Sequence, residues 1–251
     1  MENKHIKAVV KAHYTKFAKT KSSCCGSGSS CCSSSMTQEE IAHSIGYSDE
    51  EIDQAPDANL GLGCGNPLAF SNIREGSVVL DLGSGAGFDA FLAARKVGKT
   101  GKVIGVDITE AMIEIARENS KKYPSFNVEF ILGDIENLPI ADESIDIITS
   151  NCVINLAPNK QQVFREAYRV LKRGGLLYLS DIVLLHELTE NQRHDESLIA
   201  GCVGGAVLKN CYIDMLLHVG FSVKILSEDI DISTRQYNGI NLESIKIEAC
   251  K

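Results

Sequence analysis

The stretch SVVLDLGSGAGFDAFLAARKV, Ser77 to Val97, decides the fold class. Ser77–Leu82 is a short apolar run that reads as a buried strand, and Phe88–Val97 carries apolar residues at helical spacing. Between them DLGSGAGFD, Asp81 to Asp89, places Gly83, Gly85 and Gly87 in a strand-to-helix turn. Bare backbone there permits a tight turn and the close approach of a ligand, which makes this a nucleotide-type loop. A pyridine dinucleotide is the first rival, but its G-x-G-x-x-G fingerprint needs a third glycine one residue later than Gly87.

Outward from this loop, strand and helix signals alternate. VIGVDI (Val103–Ile108) reads as a second strand, Glu110–Lys122 as a helix, and VEFIL (Val128–Leu132) and SIDIITS (Ser144–Ser150) as further strands. Gln161–Leu171 reads as a helix, LLYLSDIV (Leu176–Val183) as a strand after a turn at Gly174 and Gly175, and Lys209–Val219 as a helix. This alternation predicts a Rossmann-like, doubly wound α/β fold with a mostly parallel sheet covered on both faces. FSVKIL (Phe221–Leu226) and ESIKIEA (Glu243–Ala249) alternate polar with apolar residues in the manner of antiparallel edge strands.

Ahead of this block, His5–Ala18 carries an apolar stripe at Ile6, Val9, Val10, His13/Tyr14 and Phe17, which predicts an amphipathic helix. SSCCGSGSSCCSSS, Ser22–Ser35, has no apolar periodicity and reads as a flexible linker apart from its thiols. Thr37 with Glu40, and Ser48 with Glu51, have capping-box spacing and predict two short helices. The expected organisation is an N-terminal helix (1–21), a Cys/Ser/Gly-rich segment (22–36), a helical lead-in (37–76) and the α/β domain (77–251).

A chain of 251 residues with 44% hydrophobic and 23% charged residues has globular composition. Its net charge of −8 opposes nucleic-acid binding, which draws affinity from clustered Lys and Arg. No apolar run approaches the roughly 20 residues that span a bilayer, and MENKHIKAVVKAHYTKF lacks the apolar stretch of a secretory signal. The expected location is cytoplasmic, with neither a nucleic-acid nor a membrane partner. The nine cysteines then need an explanation other than disulfides.

Charge identifies what the glycine loop binds. Asp81 and Asp89 flank the turn, where carboxylates repel a pyrophosphate but attract the amino and sulfonium groups of S-adenosylmethionine. Asp107, 20 residues beyond Gly87, ends the second strand where an acidic side chain accepts both ribose hydroxyls, and Asp134 follows the third strand at the adenine edge. Ser84, Ile108, Met112, Ile135 and Asn151 complete the candidate cofactor residues with Asp81, Gly83, Gly85, Gly87, Asp107 and Asp134. With this pattern the segment from about Ser77 to Lys251 resembles the class I S-adenosylmethionine-dependent methyltransferases. The resemblance implies a seven-stranded sheet whose last strand pair includes a reversed strand.

Cys64 in NLGLGCGNP, Cys152 in SNCVINL and Cys202 in AGCVGGA all lie in small-residue loops. Topology alone puts Cys152 near the cofactor, because it follows the fourth strand. Free cysteine commonly packs as a small hydrophobe, a reading that suits Cys211 and Cys250 best. The four motifs NLGLGCGNP, DLGSGAGFD, SNCVINL and GCVGGA together resemble the arsenite S-adenosylmethionine methyltransferases. That resemblance implies that Cys64, Cys152 and Cys202 bind trivalent arsenic and form the catalytic centre, and that a further N-terminal ligand matches the Cys24/Cys25 pair. Longer family members carry an additional C-terminal domain that 251 residues do not accommodate.

The chemistry suits the residue types, because soft thiolates are natural ligands of a thiophilic centre. Three of them leave trivalent arsenic with a lone pair whose attack on a methyl group needs no general base. His13, His43, His186, His194 and His218 therefore read as surface or core residues. Zinc is the inorganic competitor, but no C-x-x-C pair occurs. A thiol reductant, such as thioredoxin or a low-molecular-weight thiol, is the implied partner. Two other readings stay open at this point: a methyltransferase acting on a small organic metabolite, and a non-catalytic metalloid-binding protein.

Overall fold

A computed structural model describes residues 3–20, 37–123 and 127–251. The segment Ser22–Ser35 and the cysteines Cys24, Cys25, Cys31 and Cys32 lie outside the described residues. Helix α1 (Asn3–Thr20) comes first, followed by α2 (Gln38–Ser44) and α3 (Asp49–Gln54). Both short helices carry the expected capping boxes, Thr37 with Glu40 and Ser48 with Glu51, which satisfy amides that a helix start leaves unpaired.

The sheet has seven strands: β1 (Val78–Leu82), β2 (Lys102–Asp107), β3 (Val128–Leu132), β4 (Ile145–Asn151), β5 (Leu171–Leu184), β6 (Ser222–Asp229) and β7 (Leu242–Cys250). Their order is β3-β2-β1-β4-β5-β7-β6, with β7 antiparallel to both neighbours and β1 to β5 parallel. Connecting helices are α4 (Phe88–Val97), α5 (Glu110–Lys122), α6 (Lys160–Val170), α7 (Glu190–His194), α8 (Glu196–Ala200), α9 (Lys209–Val219) and α10 (Ile232–Gln236).

Two sequence expectations need correction. β7 is not an edge strand: it lies between β5 and β6, and only β6 is an edge of that pair. Its polar residues are tolerated inside the sheet because they have partners, Glu243 accepting from Lys209 at 2.7 Å and Ser244 donating to the Cys64 carbonyl at 2.8 Å. β5 also begins at Leu171 rather than Leu176. The register against β4 jumps from Ile145↔Leu171 to Ile147↔Leu176, and Gly174 at φ 75° absorbs the extra residues as a bulge.

Alternation along the strands sorts the core. Leu80, Leu82 and Ile148 face Phe164 of α6 and Leu216 of α9, whereas Val79 and Ile147 face Phe91 and Ala94 of α4. A third cluster sits at the carboxyl end of β5 and joins Ile182 and Leu184 to Cys64, Cys152 and Cys202. The two large clusters hold the strand ends rigid, and the glycine loop between β1 and α4 is held by α5. Buried Asn119 donates to the Ala86 carbonyl at 3.1 Å. Asn119→Ala is expected to cost about 1–3 kcal/mol, the penalty of an orphaned buried carbonyl. A urea midpoint equal to that of the parent would show that the loop does not depend on this bond.

Candidate functional site

The carboxyl ends of β1, β2 and β4, together with the turn after β3, open onto one cavity of about 900 Å³. Parallel strands bring this about, because every loop that leaves them emerges on the same edge. The glycine loop forms the floor. Gly83, at φ 69°, lies so close to Val153 that a Cβ would come within 2.4 Å of it. Gly85 has open space around it but a φ of 51°, so there the backbone conformation and not the room requires glycine.

Asp107 is pinned at the end of β2, accepting from the Gly85 amide at 3.0 Å and the Thr109 amide at 2.8 Å. Burial pushes its carboxyl up and these amides pull it back. Asp81, at 2% exposure, accepts from the Thr149 hydroxyl at 3.1 Å through Oδ1. Among the described residues its Oδ2 is buried without a hydrogen-bond partner, as is the neighbouring Ser84 Oγ. Burial, then the charge of Asp89, push Asp81 well above the carboxylate range. Asp89 accepts from Tyr47 Oη at 2.6 Å and from Asn151 Nδ2 at 3.3 Å, and burial pushes it up to about 6. Two orphaned acceptors and a crowded carboxylate pair form an environment that favours a cationic ligand with hydrogens to donate.

The cysteines converge at the other end of the cavity. The sulfurs of Cys64 and Cys152 and a carboxylate oxygen of Asp181 lie within 4.8 Å of one another. Cys202 Sγ donates to the Cys152 carbonyl at 2.8 Å, and Tyr237 Oη lies 3.9 Å from Cys152 Sγ. Hydrogen bonds from Cys202 and Cys64 hold the Cys152 thiol well below its ordinary range. Burial pushes Cys64 up, and the interaction with Cys152 followed by burial pushes Cys202 up. Cys152 and Cys202 also have left-handed backbone, at φ 56° and 67°, a conformation that strains any residue with a Cβ.

Asp81, Gly83, Ser84, Gly85, Asp107, Ile108, Met112, Asp134, Ile135, Asn151, Cys152 and Cys202 all line the cavity. Two sequence candidates do not. Gly87 starts α4 against Phe91 and Phe130, where a Cβ would clash at 2.6 Å, so its glycine serves packing. Cys64 sits behind the wall, one residue beyond the lining Gly63, and is 3% exposed. Asp134 faces the cavity with its carboxylate engaged, accepting from Lys7 Nζ at 2.6 Å and from the Glu136 amide at 2.9 Å. Cys211 is exposed on α9 and does not pack in the core.

Several lining residues escape sequence reasoning. Tyr47 and Tyr237 belong to no motif. The apolar stripe of α1 was visible, but not its target: Val10, Tyr14 and Phe17 roof the cavity, Phe17 packing with Met112 and Tyr14 donating to the Ala200 carbonyl at 3.2 Å.

The left-handed cysteines generate a stability test. At positions 152 and 202 the Gly variant is expected to be more stable than the Ala variant by up to about 1 kcal/mol, because glycine removes the backbone cost. At Cys64, whose φ is not positive, the order should reverse. Thermal denaturation of the six variants checks this, and an Ala variant more stable than Gly at 152 and 202 would show that no strain is stored there.

Comparison with known proteins agrees with this geometry. Residues 73–234 match the family model of a methyltransferase domain. An arsenite methyltransferase of Halobacterium salinarum is 45% identical over 229 residues, covering 88% of this chain and 59% of that protein. The arsenite methyltransferase of Homo sapiens is 46% identical over 154 residues, covering 58% and 40%. The chain thus spans about half the length of these curated relatives. The crystal structure of an arsenic (III) S-adenosylmethionine methyltransferase from Chlamydomonas reinhardtii matches with a TM-score of 0.67 at 33% identity, over 84% of this chain and 73% of that one. By fold, motif and similarity the chain belongs to the class I S-adenosylmethionine-dependent methyltransferases, and among them to the arsenite methyltransferase family.

Proposed function

We propose that this protein transfers the methyl group of S-adenosylmethionine to trivalent arsenic held by Cys64, Cys152 and Cys202. One observation carries the reading: Cys152 and Cys202, clustered with the buried Cys64 behind them, line the same cavity as a glycine loop whose carboxylates favour a cation. Arsenite is the substrate, and each thiol displaces one hydroxide from arsenic as water, so three thiols bind it without net proton release. Thiol ligands suit this soft centre, and the arsenic keeps its lone pair.

In this assignment Asp107 holds the ribose, Asp81 and Asp89 face the amino and sulfonium end of the cofactor, and Ser84 and Gly85 line its path. Met112, Ile108 and Ile135 contribute apolar wall, and Asp134, shared with Lys7, lies at the adenine edge. When bound, S-adenosylmethionine supplies an electrophilic methyl group on a sulfonium. The protein's own part is to hold donor and acceptor at attack distance, and the α1 roof excludes water from the cavity. No general base is required, which accounts for the lack of any need for histidine chemistry. The thiols must stay reduced between turnovers, so the reading includes a thiol reductant and the reducing cytoplasm, with arsenic detoxification as the biological role.

Cys152→Ser and Cys202→Ser are each expected to abolish arsenite methylation while S-adenosylmethionine binding stays measurable, because a hydroxyl does not replace a thiolate on a soft centre. Full activity in either variant refutes the assignment.

The carboxylate pair predicts a pH dependence with a definite sign. Asp89 has its carboxyl raised to about 6 in the free protein, so it is ionised above that pH and protonated below it. A cationic ligand favours the ionised form and must expel the proton at lower pH. Affinity for S-adenosylmethionine should therefore be flat above about pH 7 and fall below pH 6, by at most about tenfold per unit for each proton. Asp89→Asn should bind more weakly at neutral pH and lack the fall that begins near pH 6. Equilibrium dialysis across pH 5 to 8 measures this, and parallel profiles for parent and variant would remove Asp89 from the cofactor site.

A further inference from the structure

We infer that Asn151 is a positioning residue for Cys64, and that its amide, together with the Ser244 hydroxyl, makes the arsenic site a three-thiol site and not a two-thiol one. The inference rests on the functional reading above.

Cys64 lies in a loop, with no helix or strand of its own to fix it. Its backbone is held instead by side chains of the sheet. The Cys64 amide donates to Asn151 Oδ1 at 3.2 Å, and its carbonyl accepts from Ser244 Oγ at 2.8 Å. The next carbonyl, of Gly65, accepts from Asn151 Nδ2 at 2.7 Å. Glycines on either side let the loop lie flat against the strand ends. A Cβ at Gly63 would come within 2.9 Å of the Asn151 amide atoms, and one at Gly65 within 1.9 Å of Ser180 Oγ.

The other two cysteines are anchored independently of this amide. The Cys152 amide donates to the Ser180 carbonyl in the sheet at 2.8 Å, and the Cys202 amide donates to the Ile199 carbonyl at the end of α8 at 3.2 Å. Of the three cysteines, loss of the Asn151 side chain therefore releases Cys64 alone.

Asn151 also lines the cavity, so a direct cofactor contact is the rival role. Donor capacity argues against it. An amide nitrogen has two hydrogens, and Asn151 Nδ2 already faces three acceptors: Gly65 O, Tyr47 Oη at 3.0 Å and Asp89 Oδ2 at 3.3 Å. None is left to offer a ligand. Ser244 is buried and not among the cavity-lining residues, so cofactor contact does not explain its bond to Cys64.

The test compares two arsenicals on the full chain by calorimetry, without methyl donor. Arsenite has three exchangeable hydroxides and would engage all three thiols, whereas phenylarsenite has two and on this inference would be held by Cys152 and Cys202, the two cysteines that line the cavity. Asn151→Ala should raise the dissociation constant of arsenite by roughly tenfold or more, and Ser244→Ala by a smaller factor, as expected for loss of buried hydrogen bonds that fix a ligand. Phenylarsenite affinity should stay within about threefold of the parent in both variants, and S-adenosylmethionine affinity likewise in Ser244→Ala, whose side chain lies outside the cavity. Should Asn151→Ala not fold, Ser244→Ala carries the same comparison. Parent-like arsenite affinity, a parallel loss of both arsenicals, or a loss of cofactor affinity alone would each overturn the inference. A parent that binds neither arsenical would overturn the functional reading on which it stands.

Discussion

The crowding of buried acidic groups at one edge of the sheet is the constraint to which the rest of the structure answers. Asp81, Asp89 and Asp181 are 2%, 9% and 1% exposed, and the buried Cys152 lies within the same region. Burial pushes all three carboxyls up. Asp181 is the best satisfied, accepting from Asn155, the Ile182 amide and the Tyr212 hydroxyl. Lys160, buried nearby, donates only to the backbone carbonyls of Asn155 and Ala157 among its described hydrogen bonds, and burial lowers it to about 8. An edge so short of positive charge is costly when empty and favourable for a cationic cofactor and a soft electrophilic centre.

Such an edge survives only because the remainder of the molecule is conventionally stable. Helices on both faces bury Leu80, Ile148 and Phe164 on one side and Val79, Phe91 and Ala94 on the other. These clusters hold the strand ends in register, so Asp81, Asp107 and Asn151 present their side chains at set places. They also make room for local strain. Cys152 and Cys202 in left-handed backbone are the kind of departure that a rigid surround tolerates at a working site.

The site is also a convergence of distant segments. Helix α1 roofs it through Phe17 on Met112 and Lys7 on Asp134 and Glu136, and the segment after α10 walls it through Tyr237. The three cysteines come from three loops, and they share one buried cluster where β4 and β5 end and the antiparallel β7 begins. Asn151 and Ser244 thus reach the Cys64 backbone from 87 and 180 residues away in the chain.

Strand and helix periodicity from Ser77 to Leu132 was legible almost to the residue, since alternating buried strands and amphipathic helices are local patterns. The glycine loop and the flanking carboxylates were legible for the same reason, each being a short motif with its own backbone demand. Tertiary structure alone decided the rest. β7 looked like an edge strand because its polar residues alternate, and only its neighbours reveal that Lys209 and the Cys64 loop satisfy them. Gly87 looked like a cofactor contact because it belongs to the motif, yet Phe130, which fills the space beside it, lies on another strand. Cys64, Cys152 and Cys202 could be named from their loops, but their gathering into one buried cluster was not legible there, and the pinning of Cys64 by Asn151 and Ser244 depends on groups 87 and 180 residues away. Periodicity and turn chemistry are written locally in a chain, whereas distance, burial and charge between remote residues exist only once the sheet has brought its carboxyl ends together.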